Sequence, residues 1–163
     1  MKIAIIYSTS SKTTRKSAEM LKSKLDCATQ LIPIEKAKSA CLLKYNIIIL
    51  GGSVSNGKVQ GELKRFISRN IKTLTERPTA LFINSTDDND LMKVFSEGLV
   101  DSSFISSNFG YEILLDEGGF LEKRAKNNLV SKYKKEGKEI PVLNLDEIDN
   151  FASYINEMTK KSI

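Results

Sequence analysis

Two short runs of unbroken apolar residues, Ile3-Ala4-Ile5-Ile6-Tyr7 and Ile47-Ile48-Ile49-Leu50, constrain this chain more than any other feature. A strand that faces water on one side alternates apolar and polar residues, whereas a strand covered on both faces does not. Two such strands require helices above and below one sheet. Thr14, Ala18, Leu21 and Leu25 follow the first run at helical spacing, and Leu63, Phe66, Ile67 and Ile71 follow the second. Gln30–Ile34 reads as a strand, and Pro33, which lacks a ladder donor, assigns it to an edge. The Tyr45–Leu50 strand is expected to stop at Gly51-Gly52. Arg77-Pro78 ends the second helix and Thr79–Ile83 makes a fourth strand.

The remainder continues the alternation. Leu91, Val94 and Phe95 mark a helix with a stop at Gly98, and Tyr111–Leu115 reads as a fifth strand ending near Gly118-Gly119. Leu121, Ala125, Leu129 and Tyr133 support a basic helix, and Val142–Leu145 a short strand or extended run. The last helix is expected to start at Asp146 as its N-cap, with Ile148, Phe151, Ala152 and Ile155 on one face. Strands joined by helical crossovers make a parallel sheet, and right-handed crossovers place helices on both faces. The expectation is a three-layer, doubly wound α/β fold. Its 163 residues suit one domain, 1–163.

Composition narrows the chemistry. The chain has no His, which excludes Ser-His-Asp and Cys-His catalysis and any His-ligated metal. Cys27 and Cys41 are too few for an all-cysteine zinc site and too far apart for a CxxC pair. They read as reduced thiols in a cytoplasmic protein. The apolar runs are far shorter than the roughly 20 residues of a membrane span, and the N-terminal stretch lacks a signal-peptide shape. What chemistry there is belongs to a bound cofactor.

Charge is unevenly placed. Residues 122–138 carry seven cations and two anions, which equals the whole net charge of +5. Such a face attracts anions. Tyr133 is its only ring, so the alternation of cations and aromatics found in single-strand nucleic-acid grooves is missing, and no nucleic-acid partner is expected.

In a doubly wound sheet, ligands bind outside the carboxyl ends of the strands, where strand order reverses. That rule selects three loops. The first, Ser8-Thr9-Ser10-Ser11-Lys12-Thr13-Thr14, has six small hydroxyl residues interrupted only by Lys12 and runs directly into a helix. One Ser or Thr would merely cap that helix. Six of them, with the free amides and positive end of a helix N-terminus, make a phosphate cradle. The second loop, Gly51-Gly52-Ser53-Val54-Ser55-Asn56-Gly57-Lys58, has glycines that allow a flat ring to approach backbone. The third is Asn84-Ser85-Thr86-Asp87-Asp88-Asn89; Asp87, Asp88 and the following Asp90 read as helix-start charges, with no metal site expected. Ser11-Lys12-Thr13 also echoes a P-loop, but Ile6 and Ser11 stand where that motif needs its two glycines.

These loops resemble those of flavodoxins. The flavodoxin phosphate loop runs (Ser/Thr)-x-Thr-Gly-x-Thr after the first strand, and Thr9-Ser10-Ser11-Lys12-Thr13-Thr14 lies on it without a gap, with Ser11 for Thr and Lys12 for Gly. The stretch IIILGGSVSNGKVQGELKRFI resembles the corresponding part of menaquinone-dependent protoporphyrinogen oxidases, a flavodoxin-like family. The resemblance implies a five-stranded parallel sheet in the order 2-1-3-4-5 and FMN as cofactor. It sets Thr9, Ser11 and Thr14 on the hydroxyl positions that hold the phosphate, with Thr13 beside them and Ser10 and Lys12 in the same cofactor-binding loop. One edge of the ring falls to Gly52, Ser53, Val54, Ser55, Asn56 and Gly57; the third loop is expected on the far edge, with phosphate and ribityl contacts from Asn84, Ser85 and Thr86. It implies an FMN-dependent oxidoreductase or electron carrier, with protoporphyrinogen oxidation as a narrower version. The electron acceptor would be a redox protein or a small molecule such as a quinone. Flavodoxins are usually acidic; a pI of about 9.1 turns the expected partner toward an anionic one. The loops also lack the aromatic that flavodoxins stack on the ring, which keeps open a flavodoxin-shaped binding module without flavin.

Overall fold

In the computed structural model of the chain, the described residues are 1–8, 12–38, 42–55, 58–115 and 118–161, with backbone alone at Ser55 and Lys58. The elements run β1 (Lys2–Tyr7), α1 (Lys12–Lys24), β2 (Ala28–Pro33), β3 (Ile47–Ser55), β4 (Lys58–Val59), α2 (Gly61–Glu76), β5 (Thr79–Asn84), α3 (Leu91–Val94), α4 (Glu97–Ser102), β6 (Ile105–Asn108), α5 (Phe120–Lys135) and α6 (Leu145–Lys161). Strands β2-β1-β3-β5-β6 are parallel neighbours in that order, which is 2-1-3-4-5 when the parallel strands alone are counted. The two-residue β4 folds back on β3 as an antiparallel hairpin.

The apolar runs do what their lack of alternation requires. Ile3, Ile5 and Tyr7 pack with Ile47, Ile49, Phe82 and Phe109 beneath α1 and α6. Ala4 and Ile6 pack with Ile48, Leu50, Leu81 and Ile83 beneath α2, α3 and α4. Period-two alternation thus delivers one run to two separate cores. Phe82 stacks on Phe109 with centroids 4.7 Å apart, and Phe109 meets Phe151 of α6 edge-on at 5.1 Å. β2 pairs with β1 and ends at Pro33, which places the proline on the edge expected of it.

Several boundaries differ from the sequence reading. β3 does not stop at Gly51-Gly52 but pairs with β5 through Ser53 opposite Asn84. A Cβ on Gly51 would overlap the Phe82 ring, and one on Gly52 would lie 2.7 Å from Val94 Cγ1 and 2.8 Å from Leu63 Cδ2. These glycines admit neighbouring core side chains to a strand that continues. Leu74, not the 38% exposed Ile71, completes the buried stripe of α2. Gly98 lies inside α4 rather than ending the preceding helix.

The fifth parallel strand is Ile105–Asn108, not Tyr111–Leu115. Its Ile-Ser-Ser-Asn sequence is polar and half-buried, as an edge strand tolerates, so hydrophobicity did not mark it. Val142–Leu145 contributes a single bridge, Leu143 opposite Gly110. The last helix is capped by Asn144, whose Oδ1 accepts from the Glu147 N–H at 3.2 Å, and not by Asp146, which lies in its first turn. No helix of the described residues is long and apolar enough to cross a membrane.

Candidate functional site

The carboxyl ends of β1, β3 and β5 form one edge. Ser8 extends the β1–β3 ladder by one bond, its N–H donating to the Gly51 carbonyl at 2.9 Å. At this edge Ser8, Thr14, Ser53 and Asn84 are all buried. Ser8 Oγ, Thr14 Oγ1, Ser53 Oγ and Asn84 Oδ1 have no hydrogen-bond partner among the described residues. An unmatched buried polar atom destabilises by about 1–3 kcal/mol. Four at one edge mark a place built to meet a polar group. Ser8 opens the hydroxyl run, and that run is the signal that finds it.

The expected site residues divide into several groups. Thr9, Ser10, Ser11, Asn56 and Gly57 lie outside the described residues. Lys12 is exposed at the start of α1. Thr13 Oγ1 donates to the Glu112 carbonyl at 2.9 Å, and Lys16 Nζ meets Glu112 Oε2 at 2.6 Å. The Thr13 hydroxyl thereby holds the segment after β6 against α1, leaving Thr14 as the hydroxyl with an open valence. Gly52 and Ser53 are ladder residues, Val54 packs partly on the α2-side core opposite Val59, and the Ser55 backbone pairs with Lys58.

Asn84 belongs to β5, and its amide donates to Ser17 Oγ and to the Gly110 carbonyl, each at 2.9 Å. It ties the third loop to α1 and to the turn after β6. Ser85 is equally engaged: its N–H donates to Asn108 Oδ1 at 3.2 Å, and its hydroxyl donates to Asp90 Oδ2. Thr86 is exposed. Asp87 caps the 3₁₀ turn Asp88–Asp90 through the Asn89 N–H, as a helix-start charge should. Asp90 is different. It is buried and bonded to Ser85 and Lys93. Burial raises its carboxyl pKa, but the hydrogen bonds from Lys93 and Ser85 and the Lys93 charge outweigh burial and hold it below the usual carboxylate range.

Beyond the third loop lies a cavity of about 870 Å³, lined in part by Thr86, Asn108, Tyr111, Tyr133, Leu143 and Leu145. Burial, then the neighbouring Tyr133, pushes the Tyr111 phenol pKa up. Tyr111 reaches this position because its segment leaves the sheet instead of extending it.

A five-stranded parallel sheet in this order, with helices on both faces and its polar edge at the strand carboxyl ends, defines the flavodoxin-like class of doubly wound proteins. The family model described as Flavodoxin domain matches residues 4–139, and the chain belongs to that family. No curated protein matches it in sequence. Among solved structures, it is similar to a flavodoxin from the domain Archaea at 14% identity, covering 95% of this chain and 99% of that one, with a TM-score of 0.57. It is similar to flavodoxin 2 from Bacillus cereus at 21% identity, covering 83% and 99%, with a TM-score of 0.56. General stress protein 14 from Treponema denticola, solved in complex with FMN, matches at 11% identity, covering 83% and 99%, with a TM-score of 0.50.

FMN is the cofactor of the flavodoxin family to which the chain belongs. The residues present fit it: the unmatched hydroxyls of Ser8, Thr14 and Ser53 are donors at the edge where a phosphorylated ligand of this fold sits.

Proposed function

We propose that this chain, acting as one unit over residues 1–163, is an FMN-dependent electron carrier. The observation that carries the reading is the set of buried, unmatched hydroxyls at the carboxyl ends of β1 and β3 and the start of α1. Bound FMN would supply one- or two-electron transfer. The protein's own part is to bind and orient. Ser8, Thr14 and the loop residues Thr9, Ser10 and Ser11 take the phosphate end, while Thr13 holds Glu112. Ser53 and the backbone of the β3–β4 hairpin take one edge of the ring, and Thr86 the other. Asn84 acts one layer behind, fixing the third loop to α1 and Gly110. The acceptor is a redox protein or a small molecule, and the protein works in the cytoplasm.

Protoporphyrinogen oxidation is the narrower version, resting on the sequence resemblance of the β3–α2 stretch alone. Reconstitution tests the reading. Purified protein mixed with FMN and passed through a desalting column should retain about one equivalent and be reduced by dithionite. Protein that retains none is the flavin-free binding module instead. Adding protoporphyrinogen to the loaded protein then separates the enzyme from the general carrier.

A further inference from the structure

We propose that α5, carried on the segment 111–142, is a docking surface for an acidic protein, and that this protein is the redox partner of the site above; the second half rests on the electron-carrier reading. The segment is an excursion from the fold. The chain leaves the sheet after β6 and returns where Leu143 bridges Gly110 and the Asn144 N–H donates to the Phe109 carbonyl at 2.9 Å. Gly110 has φ +71°, and a Cβ there would lie 2.7 Å from the Val142 carbonyl oxygen, so the base of the excursion closes tightly. Between these ends α5 buries no residue. A helix that belongs to a core buries a stripe. This one contributes to neither core cluster.

What α5 displays is charge with apolar residues set among it. It carries six cations and one acid. Lys126 and Lys132 lie 4.0 and 3.9 Å from Glu122 and Glu136, whereas Lys123, Arg124, Lys134 and Lys135 form no ion pair among the described residues. Phe120 and Leu121 are 79% and 77% exposed beside them, and Val142 is 70% exposed at the base. Positive charge selects an anionic partner. A helix that lies in a membrane surface segregates its apolar and charged faces. At about 100° per residue, Arg124 and Lys135 fall between Phe120 and Leu121 around the α5 axis. Cations and apolar residues sharing one face in this way lack that segregation and suit a mixed protein interface. Tyr133 of α5 and Thr86 of the third loop line one cavity, which sets α5 beside the candidate site.

The test uses a small acidic ferredoxin as probe, with binding measured by calorimetry at low and physiological salt, on both FMN-loaded and flavin-free protein. The wild type should bind it in both forms, weakening steeply with salt. The variant K123E/R124E/K134E/K135E should lose at least about tenfold in affinity at low salt, with an unchanged melting temperature. F120S/L121S should weaken binding while keeping the salt slope. Wild-type protein that does not bind the ferredoxin, a charge-reversed variant that binds as well as wild type, or tight binding to phosphatidylserine vesicles in place of the ferredoxin overturns the proposal. Because docking is read on flavin-free protein too, failure to bind FMN leaves its outcome distinct.

Discussion

Thr14 places a fully buried hydroxyl in the first turn of α1 with no hydrogen-bond partner among the described residues. This residue lets two roles be told apart by sign. Thr14→Val removes the hydroxyl at constant shape. Without flavin, the variant should be as stable as wild type or more stable by about 1 kcal/mol, because an unmatched buried group has gone. FMN affinity should fall roughly tenfold to a hundredfold, because hydrogen bonds to a charged group contribute about 1.5–3 kcal/mol. Urea denaturation and a flavin titration read the two effects, and loss of stability with unchanged affinity would make Thr14 a packing residue. Asp90 gives a pH prediction. Its carboxyl is held below the usual carboxylate range in the folded protein, so its contribution is present above the unfolded value and lost as pH falls through the folded one. Asp90→Asn should lower unfolding free energy by about 1–3 kcal/mol at pH 7. The gap from wild type should persist down to about pH 4 and narrow below it. A gap that widens in acid would contradict the assignment.

At the scale of elements, the sequence disclosed those whose residues carry strong periodicity. β1, β3 and β5 were legible because burial on both faces leaves unbroken apolar runs, and α1, α2 and α6 because each buries a clean stripe. β6 was not legible. Ile105-Ser106-Ser107-Asn108 has one apolar residue, and the backbone ladder with β5 makes it a strand. The apolar run Tyr111–Leu115 looks more like a strand but is drawn onto α1 by Thr13 and Lys16. Of the candidate site, Ser8 and Thr14 were legible as members of the hydroxyl run. The locking roles of Thr13, Asn84 and Ser85 were not, because each is set by a partner distant in sequence. Two consequences are measurable. Gly51→Ala forces Phe82 out of its stack with Phe109 and should destabilise by about 1–3 kcal/mol in chemical denaturation. Replacing residues 115–138 with a short Gly/Ser linker removes a helix none of whose residues is buried and should shift the melting temperature by only about 3 °C or less. A large drop there would mean that α5 supports the fold.

For the whole molecule, sheet order, helix layers and loop placement converge on one edge. Strand order reverses between β1 and β3, the crossover to α1 begins there, and the unmatched hydroxyls cluster there. The central claim is that this edge is a phosphate cradle, so the phosphate should decide affinity. Parallel titrations of flavin-free protein with FMN and with riboflavin, followed by flavin absorbance and fluorescence, test it most directly. FMN should bind at least about a hundredfold more tightly than riboflavin, since two or more charge-assisted hydrogen bonds of about 1.5–3 kcal/mol each depend on the phosphate. Equal affinity for the two flavins would contradict the cradle and with it the account of the site.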